Sequence, residues 1–351
     1  MKSFVPYSKQ HILSITKTRR FETKLGEKIQ AFGDNIKTIE QGLQQSNARY
    51  VLFGVPEDIG VKANGGKGGA DTVWQPFLQS LLNTQSNDFY SGDNILLAGH
   101  FDFNEAARLI EENAVSDEEK MEAYRHAVNV IDDEVEQLVQ LITQNNKIPI
   151  VIGGGHNNAY PCIKGAAKGL HKAGILPLAQ INVINLDAHS DYRPMEGRHS
   201  GNAFTYAEED GYMEKYCIVG LHENYIPQNV WIDIVNNPFI DCITYEDIFI
   251  HEKRSFIQAI AHATGFVDNS HCGLDIDLDC IENIVSSAAT PSGITALQAR
   301  QFISFAAVDT KPAYLHICEG ASRLSTGETS STTGKLVTYL VIDFVKATAE
   351  V

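Results

Sequence analysis

The chain has 351 residues, of which 43% are hydrophobic and 21% are charged, and its formal net charge is −16. This composition is typical of a globular protein with a sizeable core, and the acidic excess argues against binding nucleic acid or an anionic membrane through bulk electrostatics. The six cysteines form no CxxC pair, which argues against a structural zinc site of the finger or ribbon type.

Eight short apolar runs predict β-strands. In chain order they cover residues 49–55, 94–99, 148–154, 181–187, 215–221, 241–245, 272–277 and 313–319. Their apolar character is nearly continuous, as in strands that are covered on both faces of a parallel sheet. Helical patterns lie between them, most clearly at 117–144, 255–264, 296–307 and 335–347. This alternation predicts an α/β fold, a three-layer αβα domain with a mostly parallel sheet.

The first 45 residues have mixed polarity and no run that matches a strand of this sheet, so residues 1–45 are predicted to be an N-terminal extension packed on the domain. No Pro-rich linker, repeat or change of composition divides the remainder, and residues 46–351 are predicted to form one catalytic domain. The N-terminus lacks the apolar stretch of a secretory signal, and no run of about 18 apolar residues is present to cross a bilayer. A cytoplasmic protein is therefore expected.

Three polar segments each follow a predicted strand, at the end where open α/β sheets bind their ligands. The first is GGGH at 153–156, where the glycines let the backbone turn sharply and leave His156 at the sheet edge. By itself this segment also fits a glycine turn that leads into a helix cap. The second is DAHSD, in which Asp187, His189 and Asp191 alternate with other residues and can face the same way. Such a cluster is costly in a packed interior unless a cation neutralises it.

The third segment is DIDLD at 275–279, whose three carboxylates share one face. Like charges this close raise one another's pKa unless a cation lies between them. The spacing also matches the first ligands of an EF-hand calcium loop, but Cys280 stands at its obligatory glycine and Ser286 at its bidentate Glu. Imidazole and carboxylate ligands without thiolate favour Mn²⁺, Zn²⁺ or Fe²⁺. Their number suits two ions about 3.5 Å apart.

At these residues the sequence resembles the ureohydrolase superfamily of arginases, agmatinases and formimidoylglutamases. The resembling segments occur in order over roughly residues 50–345, and they are GVPEDIGVKANGGKGGA (54–70), GGGH (153–156), DAHSD (187–191), SGNAF (200–204), DIDLD (275–279) and HICEG (316–320). The resemblance implies an arginase-like fold that holds two Mn²⁺ ions per chain. The implied ligands are His156 and Asp191 for one ion, His189 and Asp277 for the other, and Asp187 and Asp275 as bridges.

The resemblance also implies the reaction, in which a hydroxide held between the metals attacks an amidine carbon. Asp191 and Glu319 are the catalytic residues that it implies, since Glu319 falls where the family has an acid near the nitrogen of the substrate. A small-molecule amidine is the implied partner. A homo-oligomer, a trimer or a hexamer, is the implied assembly.

Three features favour formimidoylglutamase, which hydrolyses N-formimino-L-glutamate to L-glutamate and formamide in histidine degradation. The first histidine motif is GGGH and not GGDH. Arg193 lies two residues after DAHSD, as it does in formimidoylglutamases, and can clamp a substrate carboxylate. Phe204 stands where arginases keep a proton-shuttling histidine. Small hydrogen-bonding side chains near the metals suit amino-acid recognition, and Ser200, Asn202 and Asn64 are predicted to contact the substrate.

Two alternatives stay open. An agmatinase or guanidino-acid ureohydrolase is the first, because the segment CIENIVSSAATPSG after Asp279 departs from the family pattern, as does Asn157 after His156. A non-catalytic structural or regulatory relative is the second. Lost ligands would mark such a relative, whereas all six implied positions are filled here.

Overall fold

The computed structural model describes residues 1–33 and 36–349 of the chain. Its strands are β1 (Phe4–Pro6), β2 (Tyr50–Gly54), β3 (Ile95–Phe101), β4 (Ile148–Ile152), β5 (Ile181–Leu186), β6 (Met213–Leu221), β7 (Ile240–Thr244), β8 (Cys272–Asp277) and β9 (Pro312–Cys318). Its helices are α1 (Lys9–Ile15), α2 (Leu25–Lys28), α3 (Ile39–Gln45), α4 (Ile59–Ala63), α5 (Trp74–Leu82), α6 (Asn104–Asn113), α7 (Asp117–Gln144), α8 (Ala159–Lys172), α9 (Ala203–Glu209), α10 (Gln228–Asn236), α11 (Phe256–Phe266), α12 (Ala296–Asp309) and α13 (Thr333–Ala349). None of these helices is both long enough and apolar enough to cross a bilayer.

The strands of the described residues form one sheet in the order β1-β3-β2-β4-β9-β8-β5-β6-β7. Every neighbouring pair is parallel except β1 and β3. All eight predicted strands are present. The expectation that the first 45 residues hold no strand of the sheet was wrong, because Phe4–Pro6 pairs antiparallel with β3 at the sheet edge. A strand of three residues is too short to show a hydrophobic period.

Helices cover both faces of the sheet. Side chains alternate along each strand, so Tyr50 and Leu52 of β2 enter one apolar core while Val51 and Phe53 enter the other. Helices α5, α11, α12 and α13 pack on the first face, and α7, α8, α9 and α10 pack on the second. The predicted α/β fold with a mostly parallel sheet is confirmed.

The order of the sheet places a crevice between β4 and β5. These two strands are consecutive in the chain, but β9 and β8 separate them in the sheet. In open α/β sheets, ligands bind outside the carboxyl ends of the strands where the strand order reverses. The GGGH, DAHSD, DIDLD and HICEG segments follow or end these four strands, so their side chains meet at one edge of the sheet.

Candidate metal centre

A first group of acidic and imidazole side chains surrounds Nδ1 of His156. This nitrogen lies 2.8 Å from Oδ2 of Asp191, and 3.2 Å from Oδ2 of both Asp187 and Asp277. One ligand atom of each of these four residues lies within 4.8 Å of the others. Four candidate ligands from β4, β5 and β8 therefore converge on one point.

A second group shares Asp187 with the first. Nδ1 of His189 lies 3.5 Å from Oδ1 of Asp187 and 3.2 Å from Oδ2 of Asp279. The ring of His189 is stacked on the ring of Tyr225, with centroids 5.0 Å apart and planes at 14°. Two adjacent donor sets that share one carboxylate are the arrangement that two bridged cations require.

Local backbone geometry brings His156 into the cluster. Gly153 and Gly154 have φ of +89° and +77°, a left-handed conformation that glycine adopts without strain. A Cβ on Gly154 would lie 2.6 Å from the carbonyl oxygen of Val55, so no larger residue fits there. Glu57 is buried beneath this turn, and its carboxylate accepts a hydrogen bond from Gly155 N–H at 3.0 Å.

The electrostatics of the cluster fit divalent cations. Burial raises the pKa of Asp277 well above its usual value, and the charges of Asp279 and Asp187 raise it further. Burial also raises the pKa of Asp279 to about 6, although His189 acts in the opposite direction. Among the described residues, both ring nitrogens of His156 and Oδ1 of Asp279 are buried without a hydrogen-bond partner. Buried polar atoms are nearly always paired, so these side chains fit Mn²⁺, which accepts mixed imidazole and carboxylate ligands.

The geometry does not place Asp275 as a bridging ligand. Its Oδ2 accepts a hydrogen bond from Tyr314 at 2.6 Å, and its Oδ1 lies 2.8 Å from Nδ1 of His316. Asp275 is paired in the sheet with His316, two residues before the end of β8, while Asp277 is the last residue of that strand. A 3₁₀ turn at Leu278–Cys280 then returns Asp279 to the opening. The expected assignment of Asp275 is therefore corrected, and Asp279 takes its place among the candidate ligands.

Asn202 was also expected to touch the substrate, and the structure contradicts this. Its side chain is fully buried, with Oδ1 accepting from Arg198 at 2.8 Å and from the N–H of His199 at 3.1 Å. Its amide donates to the carbonyl of Gly197 at 2.7 Å. Arg198 is itself buried against Asp132 at 2.9 Å. These residues hold the loop before α9, and Asn202 does not line the cleft.

The other predicted contacts do line a cleft of about 480 Å³ above the cluster. Arg193 donates from Nη1 to Oδ1 of Asn64 and from Nη2 to Oε1 of Glu196, both at 2.7 Å. Asn64 in turn donates to the hydroxyl of Ser200 at 3.3 Å. The cleft therefore has a guanidinium and two small polar groups on one wall and the acidic cluster on its floor.

Glu319 lies on the floor of the same cleft, where its Oε1 accepts a hydrogen bond from the N–H of His156 at 2.9 Å. Burial and the charge of Asp277 raise the pKa of Glu319 well above its usual range. Asp191 and Glu319 have φ of +43° and +60°, which side chains other than glycine rarely adopt. Such strain is frequent at functional sites.

Sequence reasoning did not assign a role to several residues of the cleft. Tyr225, Ser287 and Ala288 line it from loops after β6 and β8. No motif marks these loops, and only the fold brings them to the opening. Phe204, in contrast, lies behind the cluster, edge-on to His156 with centroids 5.2 Å apart and stacked on Tyr216 at 4.3 Å.

The fold and the cluster together define a class of protein, the hydrolases with a two-metal centre. Comparison with known proteins agrees. The sequence model of the arginase family matches residues 48–342. The chain belongs to the arginase family. This finding confirms the resemblance to the ureohydrolases.

Similar proteins carry the name formimidoylglutamase. That of Streptococcus gordonii is 25% identical over 271 residues, which cover 76% of this chain and 70% of the relative. That of Streptococcus pyogenes serotype M6 is 26% identical over 258 residues, which cover 71% of this chain and 68% of the relative. The crystal structure of formimidoylglutamase from Bacillus subtilis has a TM-score of 0.74 at 17% identity and covers 95% of each chain. Trypanosoma cruzi formiminoglutamase with Mn²⁺ has a TM-score of 0.68 at 20% identity and covers 93% of this chain and 99% of that one.

Proposed function

We propose that this protein hydrolyses N-formimino-L-glutamate to L-glutamate and formamide. The observation that carries the proposal is the cleft itself, which places Arg193 beside an acidic cluster able to hold two cations. A substrate with an amidine at one end and carboxylates at the other matches the acidic floor and the Arg193 wall of this cleft. The names of the similar proteins support the same choice.

The proposed ligands are the two groups that the fold brings together. They are His156, Asp187, Asp191 and Asp277 for one Mn²⁺, and Asp187, His189 and Asp279 for the other. Two Mn²⁺ held by these residues would supply Lewis acidity, which would polarise the amidine and lower the pKa of water.

The other side chains of the cleft bind and orient the substrate. Arg193 clamps a carboxylate through charge-assisted hydrogen bonds, and Asn64, which bonds the guanidinium, holds it in place. Ser200 adds a hydroxyl on the same wall. Glu319, on the floor, accepts a hydrogen bond from the amidine nitrogen and so turns the reacting carbon towards the metals. A buried floor excludes bulk water, which strengthens each of these interactions.

A panel of substrates tests the proposal. Purified protein loaded with Mn²⁺ is assayed with N-formimino-L-glutamate, arginine, agmatine and guanidinobutyrate. Turnover of the formimino substrate well above the others is expected. Agmatine turnover alone would reject the proposal in favour of an agmatinase, since agmatine has no carboxylate for Arg193 to bind. No turnover of any amidine, with two ions bound, would favour the non-catalytic relative.

Further proposals concern the whole protein. We propose that residues 46–351 are the catalytic unit, supported by the family match over 48–342. We also propose a cytoplasmic location and a homo-oligomer, a trimer or hexamer as the family resemblance implies. Sedimentation of the purified protein tests the assembly, and a single species of monomer mass would reject it.

A further inference from the structure

A second polar cluster lies behind His156, on the side away from the acidic group. Its members are Asp275 on β8 and Tyr314 and His316 on β9, and all three are fully buried. Asp275 accepts from the hydroxyl of Tyr314 at 2.6 Å and lies 2.8 Å from Nδ1 of His316. The parallel register sets Asp275 directly beside His316. We call these three residues the rear cluster.

The hydrogen bonds of the rear cluster determine the tautomer of His316. A carboxylate only accepts, so Nδ1 of His316 is the donor to Asp275. In a neutral imidazole, Nε2 then carries a lone pair. This Nε2 is buried and has no hydrogen-bond partner among the described residues. The rear cluster therefore presents an unused acceptor inside the protein.

His156 presents the matching donor. Its Nδ1 faces the three carboxylates of the first group, so an imidazole that binds a cation there carries its proton on Nε2. That Nε2 is also buried and unpartnered within the described part of the chain, and it lies 3.7 Å from Oδ1 of Asp275. The rings of His156 and His316 have centroids 5.8 Å apart. A donor without an acceptor thus faces two acceptor groups across a short gap.

We propose that the rear cluster is a positioning device, which receives the Nε2–H of His156 and so fixes the tautomer that aims the Nδ1 lone pair at a cation. Ligand histidines usually make such a bond through the nitrogen that does not bind the metal, and its loss weakens metal affinity about 10–100-fold. None of the three residues belongs to the two ligand groups proposed above. The inference rests on the proposed metal centre.

The contacts of the two candidate ligand histidines differ, which makes the effect selective. His189 is stacked on Tyr225, and its ion pairs among the described residues are with Asp187 and Asp279, not with the rear cluster. A defect in the rear cluster should therefore weaken binding of the ion at His156, and it should leave binding of the ion at Asp187, His189 and Asp279 unchanged. A general loss of folding would weaken both ions together.

Three variants test the proposal through Mn²⁺ binding to metal-depleted protein, measured by equilibrium dialysis and by electron paramagnetic resonance of the bound ions. Asp275→Asn keeps the shape and removes the charge, and is expected to weaken one of the two ions about 10–100-fold. Tyr314→Phe removes one hydroxyl and is expected to weaken the same ion by less than about tenfold. Tyr50→Phe is the matched control, because Tyr50 is equally buried and its hydroxyl bonds Thr348 at 2.7 Å at the opposite end of the sheet.

The outcomes separate the inference from the proposed function. If Asp275→Asn and Tyr314→Phe bind both ions as tightly as the wild type does, the positioning role is overturned. It is also overturned if these variants lose affinity for both ions equally and the metal-free protein loses stability to urea to a matching extent. Ligand atoms of His156, His316 and Cys318 also lie within 4.8 Å of one another. A third ion that the wild type binds and His316→Gln loses would show that His316 is a ligand in this group, and would also overturn the positioning role. A wild type that binds no Mn²⁺ would reject the metal centre itself, and the positioning role with it.

Discussion

Asp279 provides a test in which one substitution changes stability in opposite directions with and without metal. In the metal-free protein the pKa of its carboxyl is raised to about 6, because burial and the charge of Asp187 outweigh the opposite effect of His189. An acid whose pKa is raised in the folded state destabilises the fold when ionised, since the unfolded chain ionises freely. This penalty is complete above about pH 6 and absent below about pH 4. Metal-free Asp279→Asn should therefore be more stable than the wild type at neutral pH.

The magnitude follows from the same shift. A rise from the usual 3.8 to about 6 is about 2 pKa units, which corresponds to about 3 kcal/mol. With Mn²⁺ present the sign reverses. A ligand that binds only the folded state adds about 4.1 kcal/mol when its concentration is about 1,000 times its Kd, which exceeds the penalty of about 3 kcal/mol. The wild type gains this amount from each of two ions, whereas Asp279→Asn loses the ion that Asp279 and His189 hold.

Urea unfolding near neutral pH, with EDTA or with excess Mn²⁺, measures both effects. Asp241→Asn serves as the control, because Asp241 pairs with His262 at 2.6 Å on β7 and lies outside the cluster. It should retain the full stabilisation by Mn²⁺. If metal-free Asp279→Asn is less stable than the wild type, the buried, ionised carboxyl of Asp279 does not destabilise the fold as argued. If Mn²⁺ stabilises this variant as much as the wild type, Asp279 is not a ligand.

Other substitutions test the remaining parts of the site. Arg193→Gln should raise KM for N-formimino-L-glutamate about 10–100-fold in steady-state assays and leave Mn²⁺ affinity unchanged; an unaltered KM would remove Arg193 from the substrate wall. Phe204→Ala deletes a fully buried ring beside the first ligand group and should cost about 3–5 kcal/mol in urea unfolding. Gly154→Ala puts a methyl group 2.6 Å from the oxygen of Val55 and should lower Tm more than Gly174→Ala, which has similar φ but open space; equal Tm values would contradict the steric argument.

The fold was predictable because its main strands are nearly continuous apolar runs, which differ clearly from the amphipathic patterns of the helices. Helix α7 matches its predicted bounds, since Ser116 caps the first turn by accepting from the N–H of Glu119 at 3.1 Å. Shorter elements were missed. β1 has three residues and ends in Pro6, so neither a period nor a propensity marks it. Helices such as α5 and α8 were left unassigned, although both bury an apolar face.

The candidate site was predictable in its residue types and less so in its geometry. Alternation along the sequence puts Asp275, Asp277 and Asp279 on one face, but the strand ends at Asp277 and Asp279 lies in the turn that follows. The end of β8 at Asp277 and the turn that follows decide which carboxylates reach the cleft. Asn202 was misjudged for a similar reason, because its role depends on the buried Arg198, whose partner Asp132 lies in a distant helix.

The position of β9 has a consequence for how the protein is made. This strand is the last of the nine described strands to be synthesised, yet it lies in the middle of the sheet, between β4 and β8. Until it is inserted, the earlier strands form two separate blocks, with His156 on one and the aspartates of β5 and β8 on the other. Synthesis must therefore pass β9 before His156 can join Asp187, Asp191 and Asp277 in the first ligand group, whereas Asp187, His189 and Asp279 all follow strands of one block.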